Sequence, residues 1–158
     1  MCGISMVKVV ATGVFDIIHL GHLHFLQEAK KLGDELVVVV ARDSTVRKRK
    51  HEPITPERMR LELILALKPV DSAVLGYEDD MFRVIAELKP DIIALGHDQL
   101  FDEEIISKEL KERGLVAKIV RLPHLDHDLN GTRKIIRKVL EWYQFKQKIQ
   151  DIEEGKSA

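Results

Sequence analysis

Residues 8–22 read Lys-Val-Val-Ala-Thr-Gly-Val-Phe-Asp-Ile-Ile-His-Leu-Gly-His. Lys8–Thr12 is a short Val-rich run closed by Gly13, as expected of a strand buried on both faces. A helix follows over His22–Leu32, with Leu23, Leu26 and Ala29 at helical spacing and Gly33 in place to end it. The same alternation repeats outward. Leu36–Ala41 is a second buried strand and Arg42–Ile54 a polar loop carrying Arg47-Lys48-Arg49-Lys50. Thr55 is the expected N-cap of a third segment, with Pro56 at its first helical position, and this helix runs until Pro69. Strands at Ser72–Leu75, Asp91–Leu95 and Val116–Arg121 alternate with helices through Met81–Leu88 and over Asp102–Arg113. After a loop over Leu122–Asn130, a long helix closes the chain, from Thr132 to about Ile152. Alternating β and α units specify an α/β fold: a Rossmann-like, doubly wound, five-stranded parallel sheet with helices on both faces.

At 158 residues the chain is expected to be one domain, residues 1–158, with 1–6 as an extension and Met6 as an alternative start. The net charge of −1 excludes a broadly basic nucleic-acid coat. The lone Cys2 excludes an internal disulfide and a multi-thiolate metal site. No apolar run approaches the roughly 20 residues of a membrane span, and the N-terminus lacks the pattern of a signal peptide, so a cytoplasmic protein is expected.

In a doubly wound sheet, ligands bind beyond the carboxyl ends of the strands. The loop after the first strand is suited to this. Gly13 admits close backbone approach, and the next helix offers its N-terminal amides to a phosphate. His19 and His22 lie one turn apart and can address one ligand, with Gly21 between them clearing space. Zinc ligation and plain packing are alternatives for this pair, but the sequence nearby supplies no third ligand: His24 falls on another helix face.

Placed after a first buried strand and preceded by Gly13-Val14-Phe15-Asp16, His19-Leu20-Gly21-His22 resembles the cytidylyltransferase-like nucleotidyltransferase superfamily. The likeness runs from Val9 to about Lys138, through Leu32–Val39, the basic loop, Pro56-Glu57-Arg58 and Gly96-His97-Asp98-Gln99. It implies that His19 and His22 contact the triphosphate and stabilise the α-phosphate transition state. It also implies nucleotide contacts from Gly13, Val14, Phe15, Asp16, Leu20, Gly21 and Asp98, and from Asn130 and Thr132 at the start of the last helix. Thr132 is the one hydroxyl kept where relatives carry a Ser/Thr-rich turn, and is the expected N-cap of the last helix. Lys48 is the catalytic choice from the basic loop, with Lys50 and Arg58 as acceptor-phosphate candidates; an ordinary solvated loop is the alternative. Asp16 and Asp98 have alternatives as turn residues; His124, Asp126, His127 and Asp128 read as solvated loop, with an acceptor or metal shell as the alternative.

Val40–Val46, Ala66–Asp71 and Leu88–Gln99 are most similar to the archaeal-type FAD synthetases. That resemblance implies transfer of AMP from ATP to FMN, giving FAD and pyrophosphate without a covalent intermediate, with Mg²⁺ carried by the triphosphate and no metal site built from the protein. A cytidylyltransferase acting on glycerol 3-phosphate or a related polyol phosphate, and an adenylyltransferase acting on a heptose phosphate, are the alternatives. From other classes come a non-catalytic nucleotide-binding module and a nucleic-acid-binding domain using Arg47–Lys50. The expected partners are the two small substrates, with no nucleic acid and no membrane. Trp142, Tyr143 and Phe145 on the last helix are candidates for a homodimer interface.

Overall fold

The computed structural model describes residues 5–49 and 51–155; Cys2 and Lys50 lie outside them. Five parallel strands stand in the order β3-β2-β1-β4-β5: β1 (Lys8–Gly13), β2 (Glu35–Val40), β3 (Ser72–Leu75), β4 (Ile92–Leu95) and β5 (Lys118–Arg121). The parallel five-stranded sheet expected from the alternating pattern is therefore present. Strand β2 shows why a continuous valine run was needed. Leu36, Val38 and Val40 pack on one face with Leu26 and Ala29 of α1 (Leu20–Lys30) and Ile64 of α3 (Glu57–Leu65). Val37 and Val39 pack on the other, with Val84 and Ile85 of α4 (Met81–Leu88) and Ile106 and Leu110 of α5 (Glu103–Glu112). Both faces are covered, so a strand of alternating polarity would place polar side chains in one core.

Chain order reverses between β1 and β4, the sheet's switch point. The loops after β1 and β4 flank it, which is where the sequence placed the histidines and Asp98.

Four local expectations are corrected. The segment after β2 contains a helix, α2 (Asp43–Arg49), rather than only a loop. Its start is held from a distance: Glu57 accepts from the Asp43 amide at 2.8 Å and pairs with Arg42 at 3.1 Å. Helix α1 begins two residues early because His19 caps it, accepting at Nδ1 from the amides of Gly21 (3.1 Å) and His22 (3.4 Å). Histidine is not among the ordinary N-cap residues, so the pattern did not reveal it. Thr55 does not cap α3, which starts after Pro56 without a side-chain cap and ends at Leu65; the Thr55 hydroxyl and amide both donate to Asp16. The last helix, α6 (Thr132–Glu153), takes Gly131 as N-cap, and the Thr132 hydroxyl donates to the Asp16 carbonyl at 2.6 Å. Among the described residues, no helix is long and apolar enough to cross a membrane.

Candidate active site

The β1–α1 loop is held in an uncommon conformation. Phe15 (φ 57°) and Ile17 (φ 48°) both occupy the left-handed region. A β-branched residue there is strained and persists only where its surroundings fix it. Three anchors do so. Phe15 is buried, meeting His22 edge-on at 5.4 Å and Phe25 at 6.4 Å between ring centroids. The buried Asp16 carboxylate accepts from Ile54 N (2.8 Å), Thr55 N (2.9 Å) and Thr55 Oγ1 (2.5 Å). Arg60, fully buried, donates to the Val14 carbonyl at 2.6 Å, to Thr55 O at 2.9 Å and to Asp43 at 2.6 Å. Burial pushes the Asp16 carboxyl up, but the bonds from Thr55 and Ile54 and the charge of Arg60 outweigh it, so it titrates below the usual range. Asp16 thus builds the loop: its carboxylate is spent on the chain itself.

The loop brings His19 and His22 together with their rings stacked, centroids 3.7 Å apart and 22° from parallel. Because His19 Nδ1 accepts two backbone bonds, the proton of its neutral ring sits on Nε2. Burial holds His19 below its ordinary pKa, against the opposing charge of Asp98. Burial first, then the charge of His19, push His22 down to about 3, against Asp98 and Asp16. The His22 Nδ1 is buried without a hydrogen-bond partner. The pair is a set of neutral N–H donors at the N-terminus of α1, suited to an oxyanion.

This has a consequence for stability. The folded pKa of His22 lies below its ordinary 6.5, so the unfolded chain takes up the proton first as pH falls. The contribution is complete above about pH 6.5 and is lost toward pH 3. Thermal unfolding between pH 7 and pH 4 should show a falling Tm with a steeper slope in the wild type than in His22→Gln; equal slopes would contradict the assignment.

The start of α6 closes one side. A Cβ on Gly21 would stand 2.4 Å from the Asn130 carbonyl oxygen and 3.0 Å from the His19 ring. Both are fixed, so Gly21→Ala must displace the α6 start or the His19 ring. We expect kcat/KM to fall by about 100-fold, since misplacements near 1 Å carry effects of that order. Steady-state kinetics beside circular dichroism separates this loss from unfolding. The Asn130 side chain is turned to its own loop, donating to Leu125 O and meeting His124 Nε2 at 3.0 Å.

Beyond β4, Gln99 fixes the loop, accepting from Gly96 N (3.1 Å) and donating to Thr12 O (2.7 Å). Arg121 of β5 binds the carbonyls of Gly96, Gln99 and Phe101 and pairs with Glu103. The exposed Asp98 is left close enough to both site histidines to influence their titration. His97 and His124 meet at 4.0 Å beside it. On the β2 side, Arg47 pairs with Glu52 and Arg49 lies against Met81 Sδ. Lys48 has no partner among the described residues and stands exposed. Arg58 is exposed on α3, while Arg60, two positions on, is the arginine tied to the site loop. Its signal was available: Arg60, Ile64 and Leu67 fall at i, i+4, i+7 on the apolar face. Among the described residues, no group of three or more His, Cys, Asp or Glu could hold a metal ion.

The fold and this loop define a nucleotidyltransferase of the Rossmann-like type. A model described as cytidylyltransferase-like matches residues 10–151, and the chain belongs to that family. It is 59% identical over 137 residues to the FAD synthase of Aciduliprofundum boonei, covering 86% of this chain and 92% of that protein. It is 56% identical over 136 residues to the FAD synthase of Thermoplasma acidophilum, covering 86% and 96%. A crystal structure from Thermoplasma volcanium, described as a lipopolysaccharide core biosynthesis protein, matches with a TM-score of 0.75 at 57% identity, covering 77% of this chain and 99% of that one.

Proposed function

We infer that the chain transfers AMP from ATP to FMN, releasing pyrophosphate and forming FAD. The observation that carries this is the stacked His19–His22 pair at the α1 N-terminus, in a chain so similar to FAD synthases. An FMN phosphate oxygen attacks the α-phosphorus of ATP in line; the new P–O bond forms as the bond to the bridging α–β oxygen breaks, and the electron pair leaves with pyrophosphate. Chemistry of this kind asks for position and charge neutralisation, not for a protein nucleophile.

On this reading His19 Nε2–H and His22 donate to the α-phosphoryl oxygens, where negative charge grows in the transition state. The Gly21 and His22 amides of α1 are taken by the His19 cap, so the amides of Thr132 and Arg133 at the start of α6 cradle the triphosphate, and Asp98 accepts from a nucleotide ribose hydroxyl. Lys48 meets the FMN phosphate. Among the described residues no cluster of carboxylates or imidazoles offers a metal site, which fits Mg²⁺ carried by the triphosphate; so carried, the ion would supply charge neutralisation to the phosphates. One domain then holds both substrates, and the enzyme works in the cytoplasm.

The test is a pyrophosphate-release assay with Mg²⁺, pairing ATP or CTP with FMN, glycerol 3-phosphate or a heptose phosphate. FAD formed only from ATP and FMN is expected. Turnover of CTP with a polyol phosphate, and none of ATP with FMN, would overturn the substrate assignment. Within the same assay, Lys48→Ala should raise the KM for FMN by about 10-fold, the worth of one phosphate contact, while leaving the KM for ATP nearly unchanged.

A further inference from the structure

The two substrates of the inferred reaction rest on different elements. The nucleotide lies along the β1–α1 loop, the β4 end and the start of α6, whereas the acceptor phosphate meets Lys48 on α2. One side chain touches the supports of both. Arg60 of α3 is fully buried. Its Nη2 donates at 2.6 Å to Asp43 Oδ1, on the first residue of α2. Its Nη1 donates at 2.6 Å to the Val14 carbonyl, in the β1–α1 loop. Its Nε donates at 2.9 Å to Thr55 O, and Thr55 in turn holds the Asp16 carboxylate. A guanidinium is planar and rigid, so its donors keep fixed relative positions. A shift of Asp43 therefore carries over to Val14 and Thr55.

Both ends of this link have somewhere to go. On the loop side, Phe15 and Ile17 lie just beyond Val14 in left-handed conformations, which persist only under constraint. On the α2 side, the hydroxyl oxygens of Ser44 and Thr45 are buried without a hydrogen-bond partner among the described residues. Leaving a buried hydroxyl unpaired is costly, so a small shift of the first turn of α2 that pairs either one is favoured. The helix is lightly held: beyond the Glu57 bond to its first amide, it buries Val46 alone, and Arg47 pairs with Glu52 in the open.

We propose that Asp43 is a positioning residue which, acting through Arg60, makes ATP and FMN bind synergistically. FMN seated against α2 draws Asp43, and with it Val14, so that the loop presenting His19 and His22 is set for ATP. By linkage, ATP on the loop strengthens the hold of α2 on FMN by the same factor. The proposal rests on the reading of the two substrates given above.

Four dissociation constants of the full chain test it, measured by titration calorimetry with Mg²⁺ and the unreactive α,β-methylene analogue of ATP. They are those of FMN without and with the analogue, and of the analogue without and with FMN. Each ligand should bind about 10-fold more tightly when the other is present. In Asp43→Ala this factor should fall below about 2 in both directions. Asp43→Asn keeps the shape and an accepting oxygen, which guards the test against a misfolded alanine variant, and its factor should lie between the two. Because the factor is a ratio, a uniform weakening from lost packing cancels out of it. Lys48→Ala, which weakens FMN binding without touching Arg60, should keep the wild-type factor. Independent binding of the two ligands by a wild type that forms FAD, or a factor unchanged in both Asp43 variants, would overturn the proposal and leave the substrates standing. No detectable FMN binding with or without the analogue, together with no FAD formed, would refute the reading of the substrates and the proposal with it.

Discussion

Replacing His22 with alanine should lower kcat for FAD formation by roughly 100- to 1,000-fold, the scale of losing one preorganised donor to a developing oxyanion. The expectation rests on geometry. Burial keeps the ring neutral and the stack against His19 fixes its plane, so no reorganisation is needed when charge develops. If the donor acts mainly in the transition state, kcat and kcat/KM should fall together, with the affinity for ATP changing far less. His19 needs a subtler substitution, because it also caps α1. His19→Asn keeps a side chain well suited to an N-cap but removes the outward Nε2–H. Its Tm should stay near the wild-type value while kcat falls by a similar factor. His19→Ala should additionally lose about 1 kcal/mol of stability with the cap. Full turnover by His22→Ala would remove the pair from the chemistry.

Arg60→Met should be the most destabilising substitution outside the apolar core. It removes the partner of Asp43 and uncovers two carbonyls, of Val14 and Thr55, in a place closed to water. Breaking a buried ion pair from one side costs about 3–5 kcal/mol. At this chain length that corresponds to a fall of roughly 10 °C in Tm. Arg60→Lys should recover little, since an ammonium lacks the fork that reaches three acceptors. Adding Asp43→Asn to Arg60→Met should return part of the loss by removing the stranded charge. The double variant should still bind nucleotide poorly, because nothing then ties Val14 and the strained Phe15–Ile17 turn to α3. Urea unfolding with unchanged m-values checks the first effect, and the KM for ATP checks the second.

Much of the architecture was legible because it depends on local periodicity. The valine run of β2 could only be a strand covered on both faces, and Gly114 (φ 70°) ends α5 where a left-handed residue was needed. Where reading failed, long-range contacts were responsible. The 43–49 segment has a helix whose first amide is held by Glu57, fourteen residues away, and no local pattern carries that bond. Asp16 reads as a ligand contact, with a turn residue as the alternative, until Ile54 and Thr55 are seen to claim its carboxylate. Arg58 and Arg60 differ by two positions on one helix, and only the packing of α3 against the sheet separates the exposed arginine from the buried one.

The sequence by itself determined the sheet, the side of it on which chemistry is expected, and the two histidines one turn apart. These follow from spacing, which a helix or strand converts directly into direction. The tertiary structure alone decided their chemical state: neutral, stacked, with the His19 proton turned outward. That state depends on burial and on two backbone amides donated to Nδ1, and both exist only after α1, the first loop and the start of α6 have come together.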